Sequence, residues 1–258
     1  MGREVRRKFV CRWFVFACAE VFALAMWAGP AAAGQSGSFE IAHHGHAVGT
    51  ASFEFTATKD GYDSRSLVKV SMLGLNYALS KTERLTAAKH VRQVQLSATV
   101  NGEAVNVAAA PDASQFAVSI SASGKRSTTR LAAHPGTVFL GDFDPGALEA
   151  LLEISAAQND RNVWAILPKN RISIEPVQLA TYGDQEGTLA GKAIKVHHLV
   201  ATIAGASTDL FSGPENQLLQ AELPQEGFAI VRKGFRLTPP AKPIAPRSGS
   251  EFGPGTAN

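Results

Sequence analysis

Residues 94–109 read VQLSATVNGEAVNVAA. At their centre Asn101-Gly102 is the strongest two-residue hairpin signal, because both central positions of a type I′ turn need positive φ, which Asn and Gly adopt most readily. Taking that pair as the loop sets Ala98 against Val105, Leu96 against Val107 and Val94 against Ala109, all apolar and all on one face. The other face pairs Ser97 with Asn106 and Thr99 with Ala104. Turn chemistry and two alternations agree on a single register, since a slip of one residue would send every apolar side chain to the wrong face.

The same period of two extends outward from this hairpin, from Ser38 to about Leu237, with Gly, Asn and Asp as punctuation. Upstream, Ala51, Phe53, Phe55 and Ala57 alternate with Ser52, Glu54, Thr56 and Thr58, and Lys59-Asp60-Gly61 turns into a strand carrying Val68, Val70 and Met72. Near Gly74 the apolar phase slips by one, to Leu73, Leu75, Tyr77 and Leu79, as a β-bulge or barrel corner would produce. Downstream, Phe116, Val118, Ile120 and Ala122 precede the turn Ser123-Gly124-Lys125, and further strands are expected at Ile172–Tyr182, Lys192–Ile203, Gln217–Leu223 and Phe228–Phe235. Roughly nine to eleven strands exceed what one flat sheet carries, so an all-β, mainly antiparallel fold is expected: a strongly curved sheet or an incompletely closed barrel. One amphipathic helix is expected at about 145–157, with Asp144 as its cap, Pro145 in first position, Glu149 near its positive end and Leu148, Leu151 and Leu152 at helical spacing. Phe143 is placed to close on Leu148 or a neighbour as a hydrophobic staple, and the apolar stripe to bury on the concave side or across the mouth of the sheet.

The ends of the chain differ in composition. Arg6-Arg7-Lys8, the 16 apolar-rich residues Trp13 to Ala28 and Ala31-Ala32-Ala33 form the three regions of a cleavable signal peptide. That stretch is too short for a bilayer span and is broken by Glu20, so no membrane anchor is expected after cleavage. Arg6-Arg7-Lys8-Phe9-Val10 also fits the twin-arginine pattern, so general secretion and twin-arginine export both agree with the leader. Five Lys/Arg and two acids lie within residues 1–33 and account for the whole formal charge of +3. The remaining chain is neutral, which argues against a nucleic-acid binder. Cys11 and Cys18, the two cysteines, both fall in the leader, leaving residues 34–258 without disulfide, thiolate or Cys-based metal chemistry. Residues 34–237 then form a single β domain, and 238–258, with five prolines, a tail expected to be disordered.

Chemistry is sparse along this chain. His44 and His46 would share a face of one strand and there chelate one metal, with His43 pointing the other way, although parity with Glu40, Thr50 and Glu54 puts them on a solvated face. His198 shares a face with Ile194, Val196 and Val200 and reads as a hydrogen-bonded core histidine, the position at which to look for a ligand cavity. Asp142 and Asp144 are two carboxylates at a helix start, where capping explains them more simply than a glycosidase pair. Lys89, Arg92, Lys125, Arg126 and Arg130 read as a solvated basic face. No Gly-x-Ser-x-Gly, Gly-x-Gly-x-x-Gly, Walker or His-Glu-x-x-His motif occurs, so no catalytic residue and no cofactor are assigned.

The runs Phe39-Glu40-Ile41, Gly45, Val48-Gly49, Asp60-Gly61-Tyr62, Leu210-Phe211-Ser212 and Leu218 to Leu223 resemble those of uncharacterised bacterial periplasmic families. That resemblance implies an open antiparallel barrel with a helix in its concavity, similar in architecture to periplasmic lipoprotein carriers, and assigns no catalytic residue. The expected function is an exported periplasmic or secreted protein that binds or carries an apolar ligand, a lipid or a hydrophobic peptide. The rivals are a hydrolase or metal-dependent enzyme of envelope polymers using His44, His46 or His198, and an assembly partner that works through its sheet edges. Intact-mass measurement on protein recovered from the cell envelope is expected to find residues 1–33 removed; an uncut precursor held in the inner membrane would overturn the leader assignment.

Overall fold

The computed structural model describes residues 35–158, 162–168 and 172–239. The expected leader with Cys11 and Cys18, and the part of the expected tail beyond residue 239, lie outside them. Eight strands follow as successive antiparallel neighbours: β1 (Gln35–His43), β2 (His46–Thr58), β3 (Gly61–Met72), β4 (Leu75–Leu85), β5 (Val91–Val100), β6 (Glu103–Asp112), β7 (Gln115–Ala122) and β8 (Lys125–Ala132). The chain then forms β9 (Thr137–Phe139), the helix α1 (Pro145–Ala157) and β10 (Trp164–Leu167), with β9 and β10 parallel, as a helical crossover requires. It continues through β11 (Ser173–Leu189), β12 (Lys192–Ile203), β13 (Ala206–Ser212), a 3₁₀ turn at Pro214–Asn216, β14 (Leu218–Leu223), β15 (Phe228–Arg232) and β16 (Phe235–Leu237). All belong to one sheet, ordered β8-β7-β6-β5-β4-β3-β2-β1-β15-β14-β13-β12-β11-β10-β9, with β16 on β11.

The two edges, β8 and β9, are not hydrogen-bonded to each other, yet β9 touches β5 and β8 touches β11. The sheet is therefore curled and open, an all-β fold with one helix. Sixteen strands replace the nine to eleven expected, in part because three-residue strands such as β9 and β16 are too short to show alternation. No helix among the described residues is long and apolar enough to cross a membrane.

The hairpin of residues 94–109 has the expected register, residue for residue, with Asn101 at φ 50° and Gly102 at φ 89°. The phase slip at Gly74 is not a bulge. Leu73-Gly74 is a two-residue turn closing Met72 on Leu75, and an even loop reverses the parity of inward positions between its two strands. Val68 faces Leu79 and Val70 faces Tyr77, so the apolar face is continuous across the turn. Thr238, assigned by composition to the tail, donates its N–H to Glu186 O at 2.9 Å.

Helix α1 starts as its sequence dictates. Asp144 accepts from Gly146 N at 3.0 Å and Ala147 N at 3.3 Å, and Pro145 occupies the first turn, where no N–H is missed. It is less amphipathic than expected: ten of its 13 residues are buried, because it lies within the concavity against β1, β2, β3, β9 and β14. Gly146 permits the closest approach, since an added Cβ would lie 2.5 Å from Ser66 Oγ and 3.0 Å from Phe53 Cβ. Phe143 packs edge-on against Tyr77 at 6.0 Å and Phe228 at 4.8 Å.

Lys81 on β4 is fully buried and holds the loop that leads into α1. Its Nζ pairs with Asp144 and, at 2.9 Å, with Glu83, and donates to Phe139 O at 3.2 Å. Burial opposes the ammonium, but Asp144 and Glu83 outweigh it and hold its pKa above the ordinary lysine value. Lys81→Met strands two buried carboxylates and is expected to lower stability to urea by about 3–5 kcal/mol. A loss below about 1 kcal/mol would show that the pair is not what holds the loop.

Candidate functional site

The helix fills only part of the concavity. Beside it, the inward faces of β4 to β8 border a cavity of about 700 Å³. Leu79, Leu96 and Val107 form a buried apolar floor, and Ala98, Val105 and Ile120 lead from it toward Val100, which is 36% exposed. These positions alternate inward on their strands, so the floor follows directly from the period of two. Gly141, Asp142, Pro168 and Ile172, with Ser127 and Thr129 of edge strand β8, complete the lining among the described residues. Gly141 lies so close over the floor that an added Cβ would be 3.1 Å from Leu79 Cδ1 and 3.7 Å from Leu96 Cδ1.

The polar corner of the cavity is Tyr77 with Asp142. Burial, with the charges of Asp142 and Asp144 adding to it, pushes the Tyr77 phenol well above its usual value, so it stays protonated. The loop carrying Gly141 and Asp142 is the one that Lys81 anchors through Phe139 and Asp144.

A second buried network fixes the helix on its other side. Glu149 Oε2 accepts from Leu218 N at 2.7 Å and pairs with Arg232 Nη2 at 3.3 Å, while Gln35 Nε2 donates to Glu149 Oε1. Arg232 also donates to Leu218 O at 2.6 Å and Ser36 O at 3.0 Å, and its guanidinium lies 4.9 Å from the Phe39 ring. Lys89 pairs with Glu153 at 2.7 Å and sits 4.0 Å over the Phe55 ring. It is 4% exposed, so the basic face drawn from sequence loses this member, while Arg92, Lys125, Arg126 and Arg130 are exposed as expected.

The histidines chosen from sequence lie elsewhere. His44 and Gly45 form the turn between β1 and β2, with φ 48° and 81°, so His44 and His46 are not i and i+2 of one strand. His46 stands opposite His43, whose ring packs 4.1 Å from that of His44 and 4.5 Å from Phe228. Among the described residues, no three His, Cys, Asp or Glu gather as a metal-holding group. His198 is half-buried and hydrogen-bonded, through Nε2 to Asp209 Oδ1 at 2.7 Å, and stacks on Phe211 at 4.6 Å. It shares its face with the small cluster of Val196, Phe211, Leu219 and Phe235, and is not among the residues that line the 700 Å³ cavity.

Sequence reasoning reached the inward sets containing Leu79, Leu96, Val107 and Ile120 but not the cavity they border. Asp142 was read as a capping group; Asp144 alone caps, and Asp142 faces the cavity. Lys81 and Glu83 were missed although the alternation signals them, since Tyr77, Leu79, Lys81, Glu83 and Leu85 are consecutive inward positions. Compared with models of protein families and with curated proteins, the chain matches none.

Burial pushes the Glu149 carboxyl up to about 7, against Arg232 and the Leu218 N–H, with Glu153 adding to the rise. Between the ordinary carboxylate range and that value the folded state holds a proton the unfolded chain has released, so stability falls as pH rises through this window. Urea titrations at about pH 4.5 and about pH 7.5 are expected to show the wild type losing roughly 3 kcal/mol relative to Glu149→Gln. An offset between the two proteins that stays constant with pH would exclude protonation of Glu149 as the cause.

Proposed function

We propose that this chain is an exported periplasmic or secreted binding protein, and that it carries an apolar ligand in the cavity bordered by β4 to β8. The observation that carries the proposal is the cavity itself: about 700 Å³, within the range of small-molecule sites, with Leu79, Leu96 and Val107 as a buried apolar floor. An apolar chain moved from water onto that floor gains the usual burial free energy without displacing any protein side chain. Val100, one of the lining residues, is 36% exposed, so the lining reaches the surface there. The signal-like leader and the neutral remainder of the chain support the location, and the likeness to periplasmic lipoprotein carriers supports the same division of a curved sheet into helix and ligand space.

Native purification followed by solvent extraction and mass spectrometry is expected to recover an apolar compound in near-stoichiometric amount. Ile120→Trp puts a large ring into the cavity from a half-buried position and is expected to lower that yield about tenfold while leaving the fold intact. An extract free of apolar material, from a protein that also takes up no added neutral fluorescent probe, would overturn the proposal.

A further inference from the structure

We propose that residues 240–246 of this chain dock along an open edge of β11 and lay a face of prolines on Tyr182. That edge is open between two contacts. Toward the start of β11, β10 pairs it as far as Pro176, and Val177 N donates to Val163 O at 2.9 Å. Toward its end, β16 pairs Gly187 to Leu189, and Thr238 N donates to Glu186 O at 2.9 Å. Between them, residues 178–185 have β12 on one side and, among the described residues, no paired strand on the other. Strand β8 touches β11 without pairing with it, and Ala180 to Asp184 are all exposed.

Tyr182 is the extra residue of a bulge. Thr181 faces Leu199 and Gly183, at φ 112°, faces His198, so Tyr182 has no opposite residue on β12. Bulges re-aim a side chain, and this ring is left 68% exposed. It ends a row of rings: it lies 5.3 Å from His198, His198 stacks on Phe211 at 4.6 Å, and Phe211 packs in the cluster that Phe235 of β16 completes. The chain therefore leaves β16 beside that row. Because β16 is antiparallel to β11, the chain heads from Glu186 toward Tyr182, about 13 Å along the strand.

The sequence that follows is Pro239-Pro240-Ala241-Lys242-Pro243-Ile244-Ala245-Pro246. It cannot prolong the ladder as a regular strand, because its prolines have no N–H to give. The spacing of Pro240, Pro243 and Pro246 is that of a polyproline II helix, whose three residues per turn put all three on one face. At about 3.1 Å per residue beyond Thr238, Lys242 and Pro243 come level with Tyr182. Residues 240–246 span about 19 Å in that form, against about 23 Å for the open edge. An exposed aromatic ring takes a proline face at small entropic cost, since the segment is already extended before it binds.

The test uses the full processed chain grown with 3-fluorotyrosine, with Tyr182→Phe identifying the Tyr182 fluorine signal beside those of Tyr62 and Tyr77. The shift of that signal between water and heavy water reads how far the ring is exposed. In the wild type it is expected to be about half of its value in the chain carrying Pro240→Ser, Pro243→Ser and Pro246→Ser together. The Tyr62 and Tyr77 signals and the urea midpoint are expected to stay unchanged in that variant. Equal isotope shifts in wild type and variant, whether large or small, would overturn the proposal. So would movement of the Tyr62 and Tyr77 signals along with Tyr182, which would show that the prolines support the fold rather than cover the ring. A wild-type Tyr182 signal that changes on dilution would overturn it as well, because the prolines would then come from a second copy.

Discussion

A helix enclosed by a sheet has no solvent face on which to place its polar groups, and everything else in this fold follows from how α1 meets that constraint. Its N-cap Asp144 and, in the second turn, Glu149 are both buried, and each is matched by a cation from the wall: Lys81 from β4 and Arg232 from β15. An unpaired carboxylate in such surroundings would cost several kcal/mol, so neither partner is dispensable once the other is buried. The pairs also carry information that apolar packing lacks. Leucines at Leu148, Leu151 and Leu152 would tolerate rotation or sliding of the helix, whereas Glu149 must meet both the Leu218 N–H and the Arg232 guanidinium.

Fixing α1 in this way divides the concavity. The helix lies over β1 to β3 and β14, where Phe39, Phe53 and Phe55 give it a large aromatic bed. Arg232 and Lys89 make use of the same rings, lying over Phe39 and Phe55 respectively, so each cation is held by a ring face as well as by an anion. Where β5 to β8 border the cavity, the inward residues that are not fully buried include Ala98, Val105, Ala122 and Ile120, and the helix does not pack on them. A curved sheet with one helix in it has more concave surface than a 13-residue helix can cover, and the uncovered part becomes the cavity.

How much of this was legible in the sequence depends on the range of the interaction. Local rules gave the hairpin at Asn101-Gly102, the helix from Pro145 to Ala157 and strand β12 from Lys192 to Ile203, because turn chemistry, capping and alternation act within a few residues. The same rules misread His44, where a two-residue turn was taken for continuous strand, and the slip at Gly74, since a change of parity between two apolar runs fits a bulge as well as a two-residue turn. Lys81, Glu83 and Arg232 continue the inward parity of their strands, so their burial was readable in principle. Their partners were not, because Asp144 and Glu149 meet them only once the sheet has curled. The cavity is the least legible feature, for it consists of inward positions that the helix leaves uncovered and that distant loop residues border.

The loop from Phe139 to Asp144 joins these two halves of the molecule. Lys81 grips it at Phe139 O and at Asp144, Gly141 rests on Leu79 and Leu96, and Asp142 projects beside Tyr77 into the cavity. One segment is thus at once the anchor of the helix and a wall of the cavity. A side chain at position 141 would have to displace the leucines of the floor, and loss of the Lys81 contact would release both the helix start and this wall of the cavity. Electrostatic pairing of the helix start and the shape of the cavity are therefore coupled through about six residues, so the buried charges of Lys81 and Asp144 bear on the cavity although neither lines it.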